Sequence, residues 1–210
     1  MSANLKKIAI ISAVVLAIAY FSQRPEGQSA SSGVEVVDSS KEAPPKPSLT
    51  KEERAKLVKA ATKNLKEERD KMEKISFFTA KNPNLLVSKL EAYLAIPDES
   101  SVILRVKPTY FGDSWVFFDK VKVMADDEVV YQRSFSHRDV VRDNSAGSVW
   151  ETADYVGKTV ELAALKKIAD AKQVIIRFDG RERRHDHTMT KRELADLKTV
   201  LAAYESLSTI

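Results

Sequence analysis

Residues 8–21 form an uncharged run of fourteen residues, preceded directly by Lys6 and Lys7 and followed by Ser22, Gln23 and Arg24. A cationic start followed by an apolar stretch is the pattern of an export signal, and it constrains where the rest of the chain folds. As a helix the run spans about 21 Å, short of the ~30 Å hydrocarbon core of a bilayer, which favours a cleavable signal peptide. Ala17-Ile18-Ala19 supplies the small-x-small pattern that a signal peptidase requires. Against cleavage, Tyr20 and Phe21 suit an interfacial anchor, and Leu5 and Ser22 can be drawn in by bilayer thinning and snorkelling lysines. The reading placed first is an uncleaved anchor over residues 5–22. It makes the protein single-pass in the inner (cytoplasmic) membrane, with its C-terminal domain extracytoplasmic. The alternative is a secreted or periplasmic chain cut near Ala19. In both, the two lysines hold the N-terminus inside.

The composition changes sharply after this segment. Residues 25–49 are rich in Ser, Gly, Ala and Pro and end in Lys41-Glu42-Ala43-Pro44-Pro45-Lys46-Pro47. Such a stretch buries too little apolar surface to offset the entropy of ordering, so it reads as a disordered tether with a stiffer polyproline end. Its reach is roughly 30 Å as a random coil. The absence of cysteine excludes a disulfide framework, a thiolate metal site and a lipid-modified N-terminal Cys. The net charge of +4 is mild and favours solubility more than any particular partner; no nucleic-acid partner is expected.

Thr50-Lys51-Glu52-Glu53 has the form of a capping box, and the spacing predicts a charged amphipathic helix over residues 50–74. Leu57, Val58, Ala61, Leu65, Met72 and Ile75 make a thin apolar stripe, broken near Arg69. The stripe admits a coiled-coil or partner-binding helix, or a solvated helix laid against the domain.

A globular domain follows over residues 75–207, where alternation of period two dominates. Strands are expected at 75–80, 88–96 and 102–107, the last two joined by the turn Pro97-Asp98-Glu99-Ser100. The leucines at 86, 90 and 94 leave a helix open for 88–96. Val102, Leu104 and Val106 should point inward, with Arg105 and Lys107 outward. A strand over 115–124 repeats the pattern with Phe117, Val121 and Val123 inward. Asp126-Asp127 turns the chain, and Val129, Tyr131 and Phe135 continue the apolar face. Residues 136–157 read as irregular. Thr159 caps a helix to Ala171, residues 173–178 form a central strand, and Asp179-Gly180 turns into the polar segment 181–188. Thr190-Lys191-Arg192-Glu193 opens a last helix with Leu194, Leu197, Leu201 and Tyr204 as its core stripe. The expected class is α+β: one antiparallel sheet of five to six strands with two packed helices.

Several residue sets bear on chemistry. Gly157-Lys158-Thr159 precedes a helix as a phosphate loop does, but Thr152 stands where that motif needs its first glycine. Those residues read as a turn and a cap. In an extended segment His185 and His187 point to one face and have the spacing of a metal pair, with His137 or a carboxylate to complete it; Arg181, Arg183 and Arg184 oppose a cation there. Ser136-His137-Arg138-Asp139 contains the residue types of a catalytic triad, though sequence neighbours do not place them in line. Glu151 and Asp154, three apart, have the types of a glycosidase carboxylate pair. Arg177, Arg181, Arg183, Arg184, Lys191 and Arg192 form a basic cluster interleaved with Asp179, Glu182, Asp186 and Glu193. Trp115 and Trp150 read as core or as the lining of a ligand groove. No convergent catalytic, cofactor or metal set is assigned.

Three segments taken in order are Tyr110-Phe111-Gly112-Asp113-Ser114-Trp115-Val116-Phe117, then Arg142-Asp143-Asn144 with Trp150-Glu151, then Ile176-Arg177-Phe178-Asp179-Gly180. Together they resemble a domain of uncharacterised exported bacterial proteins, many of them small lipoproteins. The resemblance covers residues 75–207 and departs from those lipoproteins in lacking the lipidation cysteine. It implies a fold and an envelope location, and no activity. The expected function is a membrane-tethered, non-catalytic binding or structural module of the bacterial cell envelope, its partner an envelope protein or polymer. The alternative is an exported hydrolase or metal-dependent enzyme using the His185/His187 or Glu151/Asp154 region.

Overall fold

The computed structural model describes residues 49–81, 83, 84 and 86–208. The chain divides into two units, Met1–Lys51 and Glu52–Ile210. The expected anchor and almost all of the expected tether lie outside the described residues. Among the described residues no helix is long and apolar enough to cross a membrane.

The class is α+β. Among the described residues three α-helices accompany eleven strands in two antiparallel sheets, rather than one sheet of five to six strands. The first sheet has the order β1–β2–β3–β4–β8–β7, with β9 also on β4. Its strands are β1 (Leu65–Asp70), β2 (Ile75–Ala80), β3 (Lys89–Pro97), β4 (Ile103–Gly112), β7 (Val140–Ser145), β8 (Ser148–Ala153) and β9 (Tyr155–Val156). The second has the order β11–β10–β5–β6, from β5 (Phe118–Ala125), β6 (Glu128–Ser134), β10 (Val174–Gly180) and β11 (Arg184–Thr188). The helices are α1 (Lys51–Ala61), α2 (Thr159–Asp170) and α3 (Lys191–Leu207). Leu94, Leu104, Val106, Val121, Val123, Ile176 and Phe178 from the two sheets share one core with Leu165, Ile168, Val200 and Leu201 of α2 and α3.

The helix expected over 50–74 stops at Ala61. Thr62 closes its last turn, the hydroxyl donating to the Val58 carbonyl at 2.7 Å, and the charged run beyond becomes edge strand β1. Pairing with β2 replaces the helical hydrogen bonds, and a bidentate Arg69–Asp98 pair at 2.7 Å fastens β1 to the β3–β4 turn. Met72, assigned to the helical stripe, is 93% exposed in the β1–β2 turn, where the Asp70 carboxylate accepts the Met72 and Glu73 N–H groups.

Residues 136–157 are not irregular. They form the β7–β8 hairpin and β9, turned by Ala146 and Gly147 at φ 51° and 79°, the left-handed pair that a two-residue hairpin needs. Polarity misled the reading because β7 is an edge strand with half of its residues exposed and one buried. The second correction lies in β5. A bulge at Asp119 lets Phe118 pair with Gly180 while Lys120 pairs with Asp179. Phe118 therefore enters the core at 0% exposure and Phe117, expected inward, is 56% exposed. A similar register shift in the β5–β6 pair leaves Val129 exposed. Arg105, expected outward into solvent, is buried. The start of α2 moves by one residue: Lys158 is the cap, and Glu161 accepts its N–H at 3.0 Å. The α3 box forms as expected, with Glu193 N–H donating to Thr190 Oγ1 at 3.2 Å and Thr190 N–H to Glu193 Oε2 at 2.7 Å.

Candidate functional site

The inward side of β8 carries Glu151, opposite Tyr110 of β4 and Arg142 of β7. Its carboxylate is wholly buried. Oε1 accepts the N–H groups of Val116 and Phe117, each at 2.7 Å, and Oε2 accepts that of Phe118 at 2.9 Å. Three consecutive N–H groups converge on one anion here through a left-handed turn of the backbone at Phe117, φ 54°. A bulky residue is costly in that region. The buried charge is what holds it there. Arg142 completes the arrangement, donating from Nε to Glu151 at 3.3 Å and from Nη2 to the Phe118 carbonyl at 3.2 Å. Below the loop, the Tyr110 hydroxyl donates to the Ser114 carbonyl at 2.7 Å.

This clamp presents an aromatic pair at the surface. The rings of Trp115 and Phe117 stack with centroids 5.7 Å apart at 22°, and the Arg142 guanidinium lies over the Phe117 ring at 5.7 Å. Beside it runs the β10–β11 turn, where Gly180 N–H donates to the Arg183 carbonyl at 2.9 Å. Any Cβ at Gly180 would sit 2.1 Å from the Val116 carbonyl oxygen, so only glycine lets turn and loop lie in contact. Loop 113–117 and turn 181–184 thus form one tip. Residues from three separated stretches of the sequence meet here: Tyr110 and the loop, Arg142 with Glu151, and Phe178 with Gly180.

Asp154 sits three residues along in unbroken register, on the opposite face. Its Oδ1 accepts from Arg105 Nε at 3.0 Å and Nη2 at 2.7 Å, and its Oδ2 accepts from the Tyr93 hydroxyl at 2.7 Å. Burial, reinforced by the Asp154 charge, pushes the Tyr93 phenol well above its ordinary range. Burial works against the Arg105 charge, but Asp154 and Tyr93 together more than offset it and the guanidinium rises. Glu151 and Asp154 therefore cannot flank one sugar bond. Arg105 and Tyr93 were missed because nothing in a β-strand pattern marks a buried arginine on the second face of a sheet.

The histidines do not converge either. His185 and His187 do share a face of β11, but His185 lies under the rings of Tyr110, 5.1 Å away, and Phe178, 6.4 Å away. His187 Nε2 meets Glu193 Oε1 at 2.9 Å. His137 is exposed in a short 3-10 turn, His137–Asp139. Among the described residues no group of three or more His, Asp or Glu side chains is placed to hold a metal. All four residues of Ser136-His137-Arg138-Asp139 are exposed, and Asp139 accepts the Ser136 N–H at 2.8 Å as a turn does. Gly157 donates to the Leu104 carbonyl at 2.8 Å, and Glu161 occupies the anion position at the start of α2 where a phosphate would bind.

The basic cluster divides. Arg177 is held by Asp186 through two bonds at 2.7 and 2.6 Å, and Arg192 Nη2 donates to the Lys81 carbonyl at 3.4 Å. Lys191 lines a shallow groove of about 380 Å³ with Lys172, Lys198 and Leu194. Trp150 is half-buried beside Phe111 on the second face of the first sheet.

Fold and site together define an α+β protein of two antiparallel sheets, clamped at their junction by a buried Glu151–Arg142 pair that supports an exposed aromatic loop. Comparison of the chain with protein-family models, curated proteins and solved structures finds no match in any of the three.

Proposed function

We propose that the chain is a membrane-tethered extracytoplasmic binding module of the bacterial cell envelope, without catalysis. In this reading residues 5–22 hold it in the inner membrane, residues 25–49 give it reach, and the α+β domain binds an envelope partner. One observation carries the non-catalytic part: Glu151 and Asp154, the best-placed acid pair, lie on opposite faces of the first sheet, each engaged by hydrogen bonds that hold the fold. What a binding module needs is a rigidly presented surface, and the Trp115–Phe117 loop above Glu151 supplies one.

The test is the intact mass and membrane partition of the chain expressed in a bacterium with no tag at its N-terminus. A full-length product that leaves the membrane only with detergent is expected. A soluble product beginning near Tyr20 overturns the tether.

A further inference from the structure

We propose that the tip formed by Trp115, Phe117 and turn 181–184 docks on an anionic phospholipid surface. The inference rests on the envelope reading, which supplies such a surface. Its first support is the cost of the loop: a left-handed phenylalanine and a fully buried carboxylate are maintained, and their outcome is a Phe117 side chain 56% exposed beside a half-buried Trp115. Aromatic side chains with this placement partition to the headgroup boundary of a bilayer.

Charge supplies the second support. Arg181, Arg183 and Arg184 are exposed, and their guanidinium groups make no hydrogen bond or ion pair among the described residues. Glu182 and Asp113 are the carboxylates on the same turn and loop. Arg69, Arg105 and Arg177 by contrast are matched by Asp98, Asp154 and Asp186, while Arg138 in the short 3-10 turn is exposed like the arginines of the tip. Three exposed cations on the turn that runs beside the aromatic loop, of which Arg184 also acts on Asp186, complement a phosphate layer over hydrocarbon. Ring geometry argues against a glycan, because sugars stack on open ring faces. Here Trp115 and Arg142 both lie against the Phe117 ring, and the tip offers bulk and edge.

The experiment uses the full-length chain mixed with vesicles of phosphatidylglycerol and phosphatidylcholine that carry brominated acyl chains. The chain has two tryptophans, so Trp150→Phe leaves Trp115 as the sole reporter and Trp115→Phe leaves Trp150. Expected is a blue-shifted Trp115 emission, quenched by bromine in the anionic vesicles and relieved by high salt, with Trp150 unquenched. Removing Arg181, Arg183 and Arg184 to alanine one after another should weaken this quenching by about fivefold each at low salt. Flotation of the same samples reports the tether separately. A chain that floats with Trp115 unquenched overturns the tip alone and makes a protein or glycan its occupant. Equal quenching of both tryptophans also overturns it, since the domain then lies on lipid without orientation. A chain that floats with neither anionic nor neutral vesicles overturns tip and tether together.

Discussion

Glu151 on β8 and Asp154, between β8 and β9, stand three residues apart and do opposite work. Glu151 faces inward and gathers backbone: three N–H groups from a loop more than thirty residues away in sequence, with one arginine as counter-charge. Asp154 faces the other side and gathers side chains, an arginine and a tyrosine from neighbouring strands. A carboxylate satisfied by backbone dictates local conformation, because its donors are main-chain N–H groups that must be turned toward it. One satisfied by side chains holds a contact that other side chains of similar volume can replace.

The largest expected effect follows directly. Glu151→Ala leaves three N–H groups and Arg142 without their acceptor and should cost about 3–5 kcal/mol in denaturant unfolding. It should also release the loop, seen as a red shift in Trp115 emission. A loss under 1 kcal/mol with unchanged emission would break the comparison. Asp154→Asn should cost about 2–3 kcal/mol, since it strands a buried guanidinium. The double replacement Arg105→Met with Asp154→Leu should recover most of that loss; if it is as unstable as the single variant, the contact is not interchangeable. Phe117→Gly sharpens the account of the loop. Glycine takes φ 54° freely, so stability should hold or rise by up to about 1 kcal/mol while vesicle binding falls. A marked destabilisation would mean that the phenylalanine serves the fold.

The smallest effect is set by pH. Burial under Tyr110 and Phe178, with His187 near, holds the His185 imidazole below its ordinary 6.5; Asp186 on the same strand acts weakly the other way. The unfolded chain then takes this proton more readily than the folded one. Stability should therefore be level above about pH 6.5 and decline as pH falls below it toward the folded value. His185→Phe should flatten that part of a pH series of melting temperatures. An unaltered slope would remove His185 from the account.

Where local chemistry decides structure, the sequence was legible. The Thr190 and Glu193 box opens α3 as read, and β2 runs over the residues that alternation assigns. The Asp126-Asp127 turn and the β10 strand were equally plain, and of the strand and helix left open for 88–96 the strand forms, as β3. Misreadings came where partners lie far away. The charged β1 has helical spacing, and only β2 and Asp98 make it a strand. The exchange of Phe117 for Phe118 depends on a bulge whose cause, the meeting of Gly180 with Val116, is more than sixty residues distant in sequence. At the site, Glu151 and Asp154 were both singled out, but as mutual partners. Their true partners are backbone amides, two arginines and a tyrosine that no spacing rule connects to them.

The pairing of β4 has a kinetic consequence. Its first neighbour, β3, precedes it directly, whereas its other edge waits for β8 and β9, with Tyr110 meeting Glu151 about forty residues later. β5 likewise gains β6 at once but waits about fifty residues for β10. A chain emerging N-terminus first therefore exposes two apolar strand edges for some time, each open to the strands of another copy. Folding of this domain should be slow for its size and sensitive to concentration until β8 and β10 arrive.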